Sequence, residues 1–176
     1  MKRRSPKNLN GFLVNPSTDE GLERGWEMKG GESPSGPEKS TGRILNRNLF
    51  LFILDVEVKR SRRYQNFLCL MLFKIKQFPQ EGDRESVQAC YRKLGDLLME
   101  ETRESDIIGL LESDRYVVLL PYADMKAGAH VKSRFEDTLK YYDFKSRGID
   151  ILIDQVCFPV NGSDTMDLIQ RALRIE

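Results

Sequence analysis

The sequence predicts an α/β sandwich: a central, mostly antiparallel sheet flanked by helices, with the elements in ferredoxin-like order. Three observations carry this expectation. Four segments repeat apolar residues at helical spacing, and short apolar runs of strand length are interleaved with them. From residue 43 the order reads helix, β, α, β, β, α, β, α. A strand hairpin between two βα crossovers, each right-handed, puts both crossover helices on one face of the sheet.

Each element has its own reason. Leu49–Tyr64 starts apolar and ends basic, with Leu49, Phe50, Ile53, Leu54 and Glu57 near helical spacing, so it reads as a helix. Phe67–Ile75 is a continuous apolar run, which predicts a central strand covered on both faces. Pro79–Arg84 is a turn-rich loop. Ser86–Thr102 is helical, because Val87, Tyr91, Leu94 and Leu98 share one face. Asp106–Leu111 and Tyr116–Pro121 are short apolar strands, joined through Glu112-Ser113-Asp114-Arg115 as a hairpin. Asp124 caps a helix expected to reach about Tyr142, with Ala127, Val131 and Phe135 inward. Gly148–Phe158 alternates Ile149, Ile151 and Ile153 and reads as a strand. Ser163 is expected to cap the last helix, with Leu168, Ile169 and Ala172 inward.

Composition narrows the function classes. The 176 residues carry 28 Lys+Arg against 27 Asp+Glu, a net charge of +1. That balance argues against a general nucleic-acid binder, which carries a basic stripe and a high pI. A single histidine, His130, argues against Ser-His-Asp and His-rich metal chemistry. Cys69, Cys90 and Cys157 lie far apart without CxxC spacing, and are expected to be separate buried thiols in a reducing cytosol. No apolar run reaches membrane-spanning length, and no signal-peptide core follows Lys2-Arg3-Arg4. The expected location is the cytoplasm, with no membrane insertion.

Residues 1–42 hold 7 of the 13 glycines and 4 of the 7 prolines and show no apolar period. Such a segment buries too little apolar surface to offset its conformational entropy, so it is expected to be a disordered tail. Phe12–Val14 and Trp26 are read as part of that tail rather than as a docking motif. The folded domain is expected over 43–176.

Several motifs in the right order resemble a GGDEF domain, the family of diguanylate cyclases. Thr41-Gly42-Arg43-Ile44-Leu45-Asn46-Arg47-Asn48-Leu49-Phe50 follows the family's Thr-Gly-Leu-x-Asn-Arg-x-x-Phe opening with one extra residue. Glu57–Tyr64 matches a Glu-x-x-Arg-x-x-Arg-Tyr helix end. Arg103-Glu104-Ser105-Asp106, five residues, and Glu112-Ser113-Asp114-Arg115-Tyr116 match the Arg-x-x-Asp and signature hairpin, followed by a strand ending Leu120-Pro121. Phe158-Pro159, Gly162 and Asp167–Ala172 resemble the closing strand and helix. The resemblance spans about residues 41–176 and implies the family's palm-type fold.

The resemblance also marks departures. The family couples two GTP molecules, each held with divalent metal, and such chemistry needs carboxylates against the triphosphate. Where the family has Asp-x-Asp-x-Phe, this chain has Lys74-Ile75-Lys76-Gln77-Phe78. Glu112 and Ser113 replace the two glycines that let backbone approach phosphate, and Arg115 stands at the catalytic glutamate's place. The Pro79–Asp83 loop is shortened where the family supplies guanine-reading Asn and Asp. These departures imply a chain that is not a cyclase, with no cofactor and no metal site. Lys74 and Arg115 either bind phosphate as bare charges or pair with Glu112 or Asp114 in a filled, inert site.

What is retained is Arg103 and Asp106. In the family, Arg-x-x-Asp before the hairpin forms the inhibitory site that binds cyclic di-GMP, and a second arginine reaches in from the following helix. Arg134 falls at that place. Arginine can donate two bonds to guanine O6 and N7, and a carboxylate can accept from its N1–H and amino edge. The resemblance therefore implies a non-catalytic cyclic di-GMP receptor using Arg103, Asp106 and Arg134, which forms a ligand-dependent homodimer or changes its hold on an unidentified protein partner. Two alternatives stay open: a nucleotide-free interaction module derived from a cyclase, and an enzyme using Lys74 and Arg115 instead of metal.

Overall fold

The computed structural model describes residues 43–78 and 84–174. The expectations for the 1–42 tail and the loop after Phe78 lie outside these residues. The elements are β1 (Ile44–Leu45), α1 (Arg47–Tyr64), β2 (Leu68–Gln77), α2 (Arg84–Glu101), β3 (Ile107–Glu112), β4 (Arg115–Pro121), α3 (Met125–Lys140), β5 (Ile149–Phe158) and α4 (Thr165–Leu173). A short 3₁₀ turn, Lys145–Arg147, precedes β5.

The sheet runs β1-β3-β4-β2-β5. β2 pairs antiparallel with both β4 and β5, β3 with β4 likewise, and β1 joins β3 in parallel. This is the expected sandwich. The continuous apolar run becomes an interior strand between β4 and β5, with both faces covered as expected, although β4 rather than β2 is the middle strand: Leu68 through Phe73 are all buried. Cys69, Met71, Phe73, Tyr116 and Val118 point to one face, under Leu94, Leu97 and Leu98 of α2 and Phe135 of α3. Leu68, Leu70, Leu72, Val117 and Leu119 point to the other, under Phe50, Leu54 and Val58 of α1 and Leu168, Ile169 and Ala172 of α4. Each such side chain adds roughly 1.5–3 kcal/mol when fully buried, so the two layers outweigh any local propensity. Among the described residues no helix is long and apolar enough to cross a membrane.

Helix entries follow from caps. Asn46 accepts from the Leu49 amide (3.0 Å), and Asp124 from the Ala127 amide (2.7 Å). α1 ends on Gln65, in the left-handed region at φ 55. Two expectations change at caps. α4 is capped by Asp164, which accepts from the Asp167 amide (2.9 Å), not by Ser163. Ser163 instead donates both its amide (3.0 Å) and its hydroxyl (2.9 Å) to the Asp167 carboxylate. α3 stops at Lys140, before Tyr142.

The cysteine expectation is also corrected. Cys69 and Cys157 are paired as a disulfide, and Cys90 alone is free and buried. The two lie 88 residues apart, but β2–β5 register sets them directly opposite each other. Spacing along the chain carries no trace of that register.

Candidate functional site

The predicted ligand residues cluster where α2 ends. A helix terminus leaves its last carbonyls without partners, and here side chains from three places supply them. Thr102 Oγ1 donates to the Leu98 carbonyl (2.7 Å). Arg43, just before β1, donates to the carbonyls of Met99 (3.0 Å), Thr102 (3.4 Å) and Arg103. Arg134, on α3, donates to the Glu101 carbonyl (2.7 Å). Two guanidinium groups thus sit at the negative end of the α2 dipole.

The loop to β3 then closes on itself. The Arg103 amide donates to Asp106 Oδ2 (2.9 Å), and the Asp106 amide donates back to the Arg103 carbonyl (3.1 Å). Asp106 is half-buried and Arg103 exposed. No hydrogen bond or ion pair engages the Arg103 guanidinium among the described residues, so its donors face solvent.

Arg134 comes to the same helix end, but its nearest charged partner is Glu101, with Nε 3.4 Å from Oε2. Its guanidinium also lies 5.8 Å from the centre of the Phe135 ring. Thr138, one turn further along α3, donates to the other Glu101 oxygen (3.3 Å). The structure thus brings Arg103, Asp106 and Arg134 to one corner, with Glu101 among them. Sequence reasoning missed Glu101. The available signal was a carboxylate two residues before Arg103, facing an Arg and a Thr spaced one turn apart on α3.

The signature hairpin lies at the other end of the sheet. Ser113-Asp114 forms the two-residue turn between Glu112 and Arg115, and β2–β4 register sets Lys74 opposite Arg115. Arg115 is only 4 % exposed. Its Nη1 donates to the Ala172 carbonyl at the end of α4 (3.2 Å) and stands 3.8 Å from Glu112, while its Nε has no partner. The Asp114 carbonyl accepts from the Ile75 amide (2.8 Å), tying the turn to β2. Beside it, Tyr91 and Tyr116 fill the space under α2. Burial pushes the Tyr116 phenol up to about 12, and burial first, then the Asp114 charge, raises Tyr91. Among the described residues no group of three or more His, Cys, Asp or Glu side chains is placed to hold a metal ion.

A family model for the diguanylate cyclase GGDEF domain matches residues 40–174. Several solved structures share the fold. A diguanylate cyclase protein from Thermotoga maritima superposes with a TM-score of 0.65 at 16% identity, covering 75% of this chain and 95% of that one. The FimX GGDEF domain from Pseudomonas aeruginosa gives 0.65 at 14%, covering 74% and 85%. A microbial GGDEF domain whose structure describes a novel interaction mode with cyclic di-GMP gives 0.60 at 16%, covering 73% and 80%. No curated protein matches the chain. With most of its length matched by that family model, and with its fold shared by solved GGDEF domains, the chain belongs to the GGDEF domain family.

Proposed function

We propose that this domain is a non-catalytic receptor for cyclic di-GMP, which it binds with Arg103, Asp106 and Arg134. The observation that carries the reading is the closed Arg103–Asp106 turn. It holds the backbone through two reciprocal bonds, and the Arg103 side chain is exposed. A guanidinium so placed can meet guanine O6 and N7 in parallel, and the second Asp106 oxygen can accept from the guanine N1–H. Arg134 stands at the same helix end and adds a second cation for a phosphate or a second base. A related GGDEF domain interacts with cyclic di-GMP, which supports the ligand class.

Against catalysis stands the donor set at the hairpin. A divalent cation takes oxygen ligands, but the two cations Lys74 and Arg115 face each other across the strands there. Glu112 leans toward Arg115 rather than toward a vacant site, and Asp114 remains a lone carboxylate. The residues present do not fit a metal–triphosphate complex.

The ligand carries two guanines related by two-fold symmetry, so arginines of two copies can grip one stacked ligand pair. Ligand-dependent homodimerisation is the expected output, with a protein partner reading the dimer. A second reading has one observation in its favour. Arg134 is already occupied as a cap on α2 and by Glu101, as a purely structural residue would be. On that reading the domain is a nucleotide-free interaction module.

Isothermal titration with cyclic di-GMP, beside Arg103→Ala and a GTP control, separates the two. The receptor reading expects micromolar or tighter binding, abolished in the variant, with no GTP response and a larger sedimenting species at saturation. Absence of binding in the intact chain sinks it.

A further inference from the structure

We propose that Arg43 is a positioning residue for the Arg103–Asp106 loop, holding it in the conformation that presents the Arg103 guanidinium. The proposal rests on the receptor reading above and goes beyond it, because Arg43 lies 60 positions from Arg103 and is not among the residues that the resemblance assigns to the ligand.

The geometry is a clamp at both ends of the loop. On the near side, one guanidinium spans three carbonyls, those of Met99, Thr102 and Arg103. The Arg103 carbonyl is the same atom that accepts from the Asp106 amide. Arg43 therefore polarises and orients the peptide plane on which the turn closes. On the far side, Ile44 and Leu45 form the short parallel strand that pairs with Ile108 and Gly109, two residues past Asp106. The segment from Arg43 to Leu45 thus bridges the loop, from the last turn of α2 to the first residues of β3. Arginine suits the task, since its planar fork can reach several carbonyls from one position where lysine offers a single point charge. Removing it takes a donor from the Met99, Thr102 and Arg103 carbonyls and leaves the Arg103 carbonyl held only by the Asp106 amide, which loosens the Arg103 backbone. A ligand that needs both Arg103 and Asp106 then meets a loop it must first order.

A neighbouring residue supplies the control. Arg47, at the start of α1, also donates a guanidinium bond to a β3 carbonyl, that of Leu111 (2.6 Å). It removes a comparable bond when truncated but touches the hairpin end, not the ligand loop.

The test uses the full chain as intact protein, Arg43→Ala, Arg43→Lys and Arg47→Ala, with two readouts. Hydrogen exchange without ligand follows the Arg103 and Asp106 amides, with β2 amides as the check that each variant is folded. Titration with cyclic di-GMP follows affinity. Arg43→Ala is expected to lose protection at Arg103 and Asp106 while β2 stays protected, and to bind about tenfold more weakly, the equivalent of one charge-assisted hydrogen bond. Arg43→Lys should recover part of both, and Arg47→Ala should change neither. Affinity unchanged in Arg43→Ala, or lost equally in Arg47→Ala, overturns the proposal. If the intact chain binds no cyclic di-GMP, it is the receptor reading that fails. Exchange still decides the clamp in that case: selective loss of loop protection supports it, and unchanged protection overturns it.

Discussion

Gly109 lies where β3 passes directly beneath α1, and adding one methyl there tests how that helix is seated. A Cβ at Gly109 would fall 2.5, 2.7 and 2.8 Å from three atoms of Phe50. Ordinary carbon contacts begin near 3.5 Å, so α1 would have to retreat by about 1 Å. Phe50 is fully buried, with no room to rotate away. Overpacking of a dense core costs about 1–3 kcal/mol, and a clash with two ring atoms and the Cβ of the buried Phe50 belongs at the upper end, about 3 kcal/mol. Phe50→Ala alone should cost about 3–5 kcal/mol through lost burial and a cavity. With the ring gone, the two tightest contacts disappear and only the Cβ at position 50, 2.8 Å away, remains, so most of the clash is relieved. The double variant should therefore be about 1–3 kcal/mol more stable than the sum of the singles, the part of the overpacking cost that the ring carries. Urea unfolding of the four proteins measures this coupling. Simple additivity would refute the assignment of the cost to the Phe50 contact.

Three further outcomes follow from the same geometry. Glu101→Gln weakens the exposed ion pair that holds Arg134, worth about 0.2–1 kcal/mol; cyclic di-GMP affinity by titration should rise by up to about fivefold, and a fall would show that Glu101 presents Arg134 rather than competing for it. Asp124→Ala removes the α3 cap at 2.7 Å and should cost about 1 kcal/mol in urea unfolding. Tyr116 should stay protonated well past an ordinary tyrosine, since burial raises it to about 12. An unfolded tyrosine ionises near 10, so from about pH 10 to 12 the unfolded chain sheds this proton first. Stability then falls as pH rises through that window, and Tyr116→Phe should flatten that part of the alkaline unfolding profile.

Most of the fold was legible because its causes are local or periodic. A ten-residue strand with six consecutive buried residues must lie between two layers, and β2 does. The inward faces of α2, α3 and α4 were readable for the same reason, since 3.6-residue spacing and burial are one fact seen twice. α1 was readable in extent but less so in face: Phe50, Leu54, Val58 and Ser61 are buried, whereas Leu49 is 45% exposed. The seat of Phe50 over Gly109 chose the face, and that contact joins residues far apart in the chain. β1 went unread because two residues carry no period.

The sequence by itself determined the element order, the crossover topology and the identity of the candidate ligand residues. The first two depend on spacing along the chain, and the third on the resemblance to the GGDEF family. Only the tertiary structure decided what those residues face. It set Glu101 against Arg134, placed Arg43 across the end of α2, brought Cys69 opposite Cys157, and buried Arg115 against the Ala172 carbonyl. Those pairings span between 33 and 88 positions. They come from strand register and from which carbonyls a helix end leaves open, and neither is written in the neighbourhood of any one residue.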